Sequence, residues 1–272
     1  MKQLRNPRLS KRGRFAHPGA RTGLACIGLL LLLMQFPPAT SVAGATPTVP
    51  SGHLVFRATP FTGDFVSHGR TITRIGCGSS VQIPRKPSMN ATLGSIALKA
   101  IAGVAACGNG PWYAGYNTTD RFKFFNLTFK NSRSGPTNWS DLWSVNVTVS
   151  LDVHQNGSSN GNLHASVILL LSSTLRAYRS GKPGSALPFS TPALALSESV
   201  TNGTVTNVTS TMARGGSQPT WLGNGTYEFS AWLTAFVRVY STGPVSPGSY
   251  ATATLDIPGR GTGLSLKYIA MG

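Results

Sequence analysis

Acidic side chains are scarce in this 272-residue chain, which has 7 Asp and Glu against 24 Lys and Arg. Charged residues make up 11% of the sequence, less than half of the usual level in a soluble globular domain. So few carboxylates argue against two-metal sites and EF-hand calcium loops. A phosphate-binding G-x-x-x-x-G-K-[ST] loop is absent, as is the strand-and-helix alternation that a serine-hydrolase nucleophile elbow requires. We therefore expect no cofactor, and the composition leans against an enzyme.

A concentrated basic patch is also missing. Seven of the basic residues lie within positions 1–45, which leaves 17 basic and 7 acidic side chains in residues 46–272, a net charge of +10. These cations are scattered, whereas a nucleic-acid-binding protein usually concentrates them in a stripe or block. We expect no nucleic-acid partner. The remaining charge favours an acidic surface polymer as a partner, and carbohydrate is the other candidate.

The N-terminal region has the three parts of a secretory signal peptide. Residues 1–21 are basic without an acid, residues 24–36 are apolar apart from two positions, and small residues lead to Ala43-Gly44-Ala45. We predict a signal helix in residues 1–45, cleaved after Ala45 or Ala43. This thirteen-residue segment falls short of the ~20 apolar residues that span a membrane, but an uncleaved anchor remains the alternative. The mature chain, residues 46–272, is then extracellular or at the cell surface, with membrane contact only if the segment stays uncleaved.

Cysteine usage fits export. Residues 46–272 retain Cys77 and Cys107, and an even number of cysteines in an exported chain predicts a disulfide. The bond would close a loop of about 30 residues, worth roughly 3–4 kcal/mol in the chain-entropy model. Two isolated cysteines lack the paired spacing of a zinc site.

Asn-x-Ser/Thr sequons are more frequent than the composition explains. From 13 asparagines and 54 serines and threonines in residues 46–272, random placement gives about three sequons, whereas nine are present. The excess predicts N-glycosylation in a host that has the machinery. The nine acceptors are Asn90, Asn117, Asn126, Asn138, Asn146, Asn156, Asn202, Asn207 and Asn224.

Alternation of apolar and polar residues predicts strands along most of the mature chain. Residues 93–106 are compatible with a short helix that Gly94 and Gly103 weaken, residues 180–192 and 213–220 with long loops, and residues 258–261 with a turn between the last two strands. This set of short strands and turns predicts an all-β, single-domain antiparallel β-sandwich. It leaves jelly-roll and immunoglobulin-like topologies open. Strands are expected at 53–58, 71–75, 79–83, 121–129, 143–153, 163–178, 204–212, 227–240, 249–257 and 262–270.

Residues 143–153 and 163–178 carry the clearest alternation, and their apolar faces coincide if they pair as a hairpin. That register sets His154 opposite His164, with Asp152 one outward position along. Two imidazoles and a carboxylate are potential metal ligands. Ordinary surface histidines explain the pattern better, since a glycan on Asn156 would crowd the site. We treat the three residues as a weak metal candidate only.

Two further groups are candidate binding or catalytic residues. Trp112 and Tyr113 follow Gly-Asn-Gly-Pro, and an exposed aromatic pair on a loop is suited to stacking on sugar rings. Glu228 lies on the polar face of the 227–240 strand and is the best acid for a glycosidase, which also needs a second carboxylate in the same cleft. Core packing for the pair and a structural role for the acid are the alternatives.

Together these features predict a secreted or surface-exposed, N-glycosylated β-sandwich protein with a structural, adhesive or ligand-binding role and no catalysis. The alternative is an extracellular carbohydrate-binding module or a polysaccharide-acting hydrolase. Ligand identity is not encoded in any motif of this chain.

Intact mass of the protein from its native host tests the export hypothesis. We expect the mass of residues 46–272 plus several glycans, and two thiols that become reactive only after reduction. An unmodified full-length mass with free thiols would overturn the extracellular interpretation.

Overall fold

The computed structural model of the chain describes residues 54–57, 63–90, 92–108, 110–129, 139–157, 160–179, 182–187, 192–216 and 224–271. Regular structure within these residues consists of strands, and no helix occurs there. In this part of the chain, accordingly, no helix is long and apolar enough to cross a membrane. The predicted signal helix, residues 1–45, lies outside the described residues.

Thirteen antiparallel strands make up the described part of the chain, and each of the ten predicted strands overlaps one of them. The predicted loop 180–192 contains a short strand, β8. The strands are β1 (Leu54–Arg57), β2 (Gly63–Ile75), β3 (Ser79–Asn90), β4 (Ser95–Ala105), β5 (Tyr113–Phe129), β6 (Trp139–His154), β7 (Leu163–Arg179), β8 (Lys182–Leu187), β9 (Leu194–Val200), β10 (Gly203–Gly216), β11 (Gly225–Ser241), β12 (Tyr250–Ile257) and β13 (Leu264–Met271).

The strands form two sheets. Sheet A has seven strands in the order β1-β13-β4-β12-β6-β10, with β3 also paired to β4 and β13 also paired to β6. Sheet B has six strands in the order β2-β5-β11-β7-β8, with β9 also paired to β7. Eight strands pair in a nested order along the chain: β4 with β12, β5 with β11, β6 with β10, and β7 with β9. Successive pairs of this set alternate between sheet A and sheet B.

Inward-facing side chains of both sheets form one hydrophobic core, which gives a sandwich-like arrangement. On β6 the odd-numbered residues from Trp143 to Val153 are buried and the even-numbered ones are more exposed, so the predicted alternation is confirmed. On β7, residues such as Val167 and Leu169 enter the same core from sheet B. Full burial of each such side chain contributes about 1.5–3 kcal/mol.

The predicted hairpin between β6 and β7 is wrong. β6 pairs with β10, β12 and β13 in sheet A, whereas β7 pairs with β8, β9 and β11 in sheet B. The apolar faces of the two strands matched because both face the same core from opposite sides. Alternation alone cannot distinguish a neighbour in the same sheet from a strand across the core.

Residues 93–106 do not form a helix, because most of this segment is strand β4. β4 lies between β3 and β12, and its side chains are buried along nearly the whole strand. A strand that is buried on both faces carries a continuous apolar run instead of an alternating one. Such a run resembles a buried helix in sequence.

The turn at residues 258–263 does not join two paired strands. β12 and β13 both pair with β6, run in the same direction and follow one another along it. The segment between them is a looped-out interruption of one row of sheet A. Arg260 at φ 57° and Gly261 at φ 82° give it the left-handed backbone of a tight turn.

The predicted disulfide is confirmed. Cys77 and Cys107 are bonded, with Cα atoms 6.2 Å apart. Cys77 lies in the turn between β2 and β3, and Cys107 follows the end of β4. The bond therefore ties the connection between β2 of sheet B and β3 of sheet A to the segment that follows β4 in sheet A.

One carboxylate lies inside the core. Asp141 on β6 is fully buried and accepts hydrogen bonds from the indole Nε1 of Trp143, at 2.6 Å, and from the hydroxyl of Ser173 on β7. Burial raises the pKa of Asp141 above its ordinary value of 3.8, although both hydrogen bonds oppose the shift. This carboxyl joins the two sheets through polar contacts in an apolar interior.

Comparing Asp141→Asn with Asp141→Ala should separate the effect of the carboxylate charge on stability from the effect of its hydrogen bonds. Because the folded state holds the proton more tightly, the stability that Asp141 contributes falls as pH rises above about 4. We expect the asparagine variant to match or exceed the wild type at neutral pH. The alanine variant should lose about 2–3 kcal/mol, since Trp143 and Ser173 lose their acceptor. Urea unfolding between about pH 4 and neutral pH measures the free energy of unfolding of both variants against the wild type. Equal destabilisation by the two substitutions would contradict the proposed role of the two hydrogen bonds.

Candidate ligand-binding face

The outer face of sheet B, which points away from the core, carries large aromatic and cationic side chains. On β11 the odd-numbered residues enter the core, so even-numbered residues such as Trp232, Phe236, Arg238 and Tyr240 point outward. The corresponding face of sheet A is lined on β6 and β12 mainly by small hydroxyl residues: Ser144, Thr148, Ser150, Thr252 and Thr254. Sheet A also exposes Val208, Met212 and Tyr250 on its outer face. The grouping of aromatic rings with an arginine along β11 makes the outer face of sheet B the candidate ligand-binding face.

Tyr113, Tyr240 and His164 form a row across three neighbouring strands, which we call the aromatic row. Tyr240 is the register partner of Tyr113 on β5 and of His164 on β7. The rings of His164 and Tyr240 stack with centroids 4.9 Å apart and planes 13° from parallel. All three side chains are half-buried.

Arg238 lies one outward position along β11 from the aromatic row. Its Nε donates a 2.9 Å hydrogen bond to the hydroxyl of Ser166 on β7. Its Cζ lies 5.2 Å from the ring centroid of Tyr240, a cation–π distance. Two contacts on two strands hold this guanidinium in place on the outer face.

Gly115 on β5 makes room for the ring of Tyr113. A Cβ at this position would lie 2.6 Å from both Cε1 and the hydroxyl oxygen of Tyr113. Gly115 is also the register partner of Arg238. The tyrosine ring therefore lies along its own strand beside the arginine, and only glycine permits that position.

His164 is neutral under ordinary conditions. Partial burial lowers its pKa below 6.5, and its Nε2 is buried without a hydrogen-bond partner in the described part of the chain. Arg238 is then the cation that this end of the face presents. Neither its pairing partners Gly115 and Ser166 nor the aromatic row adds an acid.

A second polar cluster lies further along the same face. Arg121 on β5 forms a buried ion pair with Glu228 on β11, and its Nε donates a 3.1 Å hydrogen bond to Ser230. Trp232 covers the arginine, with Cζ 5.4 Å from the indole centroid, and His68 of β2 packs on the same indole at 4.7 Å. Glu228 is thus committed to a structural ion pair.

The other described carboxylates do not join Glu228. Asp120 on β5 and Asp141 on β6 both point into the interior, and Asp120 accepts a 2.5 Å hydrogen bond from Thr118 there. Asp152 and Asp256 lie on sheet A. Asp152 contacts Thr204, and Asp256 forms ion pairs with Arg85 and Lys99. Two-carboxylate glycoside hydrolysis requires a second acid on the same face as Glu228. None of the other described acidic side chains lies on that face.

Trp112 and Tyr113 do not form an exposed pair, because Trp112 is buried and Tyr113 is half-buried. Trp112 is 4% exposed and packs on Gly76, next to the disulfide, where a Cβ would lie 2.3 Å from the indole. Adjacent residues of a strand point to opposite sides, so Tyr113 turns outward instead. Its neighbours on the outer face are Tyr240 and Arg238.

The weak metal candidate is not assembled. His154 ends β6 in sheet A and stacks on Tyr250, with centroids 5.2 Å apart, whereas His164 lies in the aromatic row of sheet B. Asp152 accepts a 2.8 Å hydrogen bond from Thr204. No group of three or more potential ligands that could hold a metal occurs among the residues the structure covers.

The sequon asparagines differ in exposure. Asn90, Asn156, Asn202 and Asn224 are exposed, whereas Asn117, Asn146 and Asn207 are half-buried. The side chain of Asn126 and all of Asn138 lie outside the described residues. Nδ2 of Asn207 already donates a 2.6 Å hydrogen bond to Glu198. Glycosylation stays a prediction, with the four exposed acceptors the most accessible.

Sequence reasoning missed the roles of Tyr240, Arg238 and His164 as one group. The available signal was the outward set of the 227–240 strand, in which aromatic residues and an arginine occupy positions where a solvated face usually has small polar residues. Which strands flank it is decided by pairings between segments distant in sequence.

Comparisons with known proteins identify no family. No family model matches the sequence, and no curated protein matches it. Among solved structures, the chain has a faint similarity to the enzymatically active domain of tailspike protein 4 from bacteriophage CBA120, at 14% identity and a TM-score of 0.15. The match covers 72% of this chain and 19% of that one. A similarity this low carries no argument about function.

His164→Gln tests the electrostatics of the aromatic row. The unfolded chain takes up a proton at His164 more readily than the folded one, so the free energy of unfolding should fall as pH drops below 6.5. The glutamine variant should lack that part of the pH dependence. His154→Gln, at an exposed position, serves as the control. An identical pH slope in wild type and His164→Gln would show that the imidazole is not desolvated.

Proposed function

We propose that this chain is a secreted or surface-exposed, N-glycosylated jelly-roll protein that binds an extended carbohydrate polymer on the outer face of sheet B without catalysis. The aromatic row is the observation that carries the proposal. The stacked rings of His164 and Tyr240, with Tyr113 in the same register row, offer amphipathic aromatic surface to a pyranose ring. The stretch from Tyr240 to Trp232 spans about 27 Å along β11, room for several sugar units. The proposal requires that Asn117, the half-buried sequon opposite Phe236 on this face, stays unglycosylated.

The nested pairing of eight strands supports the jelly-roll assignment. In a jelly roll, a long antiparallel ribbon folds over so that two four-stranded sheets face each other. The orders β4-β12-β6-β10 and β5-β11-β7-β9 have that form. β1, β2, β3, β8 and β13 extend these sheets.

Export and glycosylation rest on separate features. The order of basic, apolar and small residues in residues 1–45, the threefold sequon excess and the disulfide all fit the secretory pathway. Glycans would keep a surface with 11% charged residues soluble. A non-catalytic role is favoured because Glu228 is engaged by Arg121.

Retention on immobilised polysaccharides tests the binding proposal. We would use three neutral polymers, cellulose, chitin and mannan, and three acidic ones, alginate, polygalacturonate and hyaluronate. The wild type should bind at least one. Tyr240→Ala should weaken that binding by about three- to tenfold, because a contact with an aromatic ring contributes roughly 0.5–1.5 kcal/mol.

Tyr250→Ala is the matched control, since Tyr250 is an exposed tyrosine on sheet A that also stacks on a histidine. It should leave binding unchanged. Failure of the wild type to bind any of the six polymers, or equal losses in the two variants, would refute the proposed site.

A further inference from the structure

We infer that the polymer bound on this face carries carboxylate groups and that Arg238 is the residue that binds them. The inference rests on the proposed function and narrows its ligand to acidic polysaccharides, such as those built from uronic acids. Arg238 is the charged group next to the aromatic row, so a sugar stacked there would bring its substituents to the guanidinium.

Arg238 is held in place but not neutralised. Its Nε is bound to Ser166, which is 7% exposed, and its guanidinium lies over the ring of Tyr240. The four ion pairs of the described residues belong to Arg70, Arg85, Lys99 and Arg121. Arg238 therefore keeps its charge without a carboxylate partner in this part of the chain.

The surroundings contain no acid that would compete with a ligand. On β5 the neighbours are Gly115 and Tyr113, and on β7 they are Ser166 and His164. Glu198 on the adjacent β9 is the register partner of core residue Val167 and contacts Asn207, so it points away from this face. With seven acids in the whole chain, most of those described are already engaged elsewhere.

A guanidinium held through Nε leaves its terminal nitrogens for a planar, two-point hydrogen bond with a carboxylate. The contacts to Ser166 and Tyr240 set the arginine in position before binding, which lowers the entropy lost on association. An adjacent tyrosine ring would bind the pyranose that carries the carboxylate. A neutral sugar would use the rings and leave the charge unpaired.

The test compares each acidic polymer with its methyl ester, which keeps the sugar ring but removes the charge. Alginate, polygalacturonate and hyaluronate oligomers and their esters are titrated into the wild type, Arg238→Gln and Arg214→Gln. Arg214 is an exposed arginine on sheet A that contacts Ser140, so its variant matches the loss of net charge. We expect the wild type to prefer at least one acid over its ester by about 10- to 100-fold.

Arg238→Gln should lose that preference while its affinity for the ester is kept, and Arg214→Gln should retain it. Arg238→Lys should retain only part of the preference for the acid over its ester, because an ammonium cannot form the two-point contact with a carboxylate. Ser166→Ala retains the arginine but removes its positioning partner. It should reduce the acid-to-ester ratio without abolishing ester binding, and it keeps the test valid if Arg238→Gln fails to fold.

The outcomes separate this inference from the proposed function. Equal binding of acid and ester that still depends on Tyr240 would overturn the role of Arg238 and leave the carbohydrate site intact. An acid preference that Arg238→Gln preserves would likewise overturn it. Absence of binding to every polymer would refute the carbohydrate site itself.

Discussion

The alternation of side-chain direction along the long strands is the constraint on which the rest of this structure depends. β6, β7 and β11 each run for 16 or 17 residues, and nearly every second residue enters the shared core. Shifting any of them by one residue would exchange valines and leucines for serines, arginines and tyrosines. The core therefore fixes which side chains point outward, including those of the aromatic row.

The same constraint explains why the two outer faces have different chemistry. Sheet A presents mostly serine and threonine on β6 and β12, which suits a solvated and glycosylated surface. Sheet B presents Trp232, Phe236, Arg238 and Tyr240, which solubility does not require. Sheet A also exposes Val208, Met212 and Tyr250. What distinguishes sheet B is the grouping of aromatic rings with an arginine along β11.

The small number of acidic residues affects both the interior and the outer face of sheet B. Asp141 joins the two sheets through Trp143 and Ser173, and Glu228 is paired with Arg121. Once these structural roles are filled, few carboxylates remain to neutralise the arginines. An arginine such as Arg238 is then left to bind an anion supplied from outside the chain.

The sequence by itself determined the strand class, the disulfide between Cys77 and Cys107, and which residues of 143–153 enter the core, because these depend on local alternation and on cysteine number. It did not determine strand partners: residues 93–106 were compatible with a helix, and the strands β6 and β7 were compatible with a hairpin. It also left both exposure and core packing open for Trp112. Tertiary structure decided these, because a strand buried on both faces loses its alternation and because two strands that face one core from opposite sheets have the same pattern as two paired strands. The grouping of Tyr113, Arg238 and His164 likewise follows from pairings between segments far apart in the chain, which no local pattern encodes.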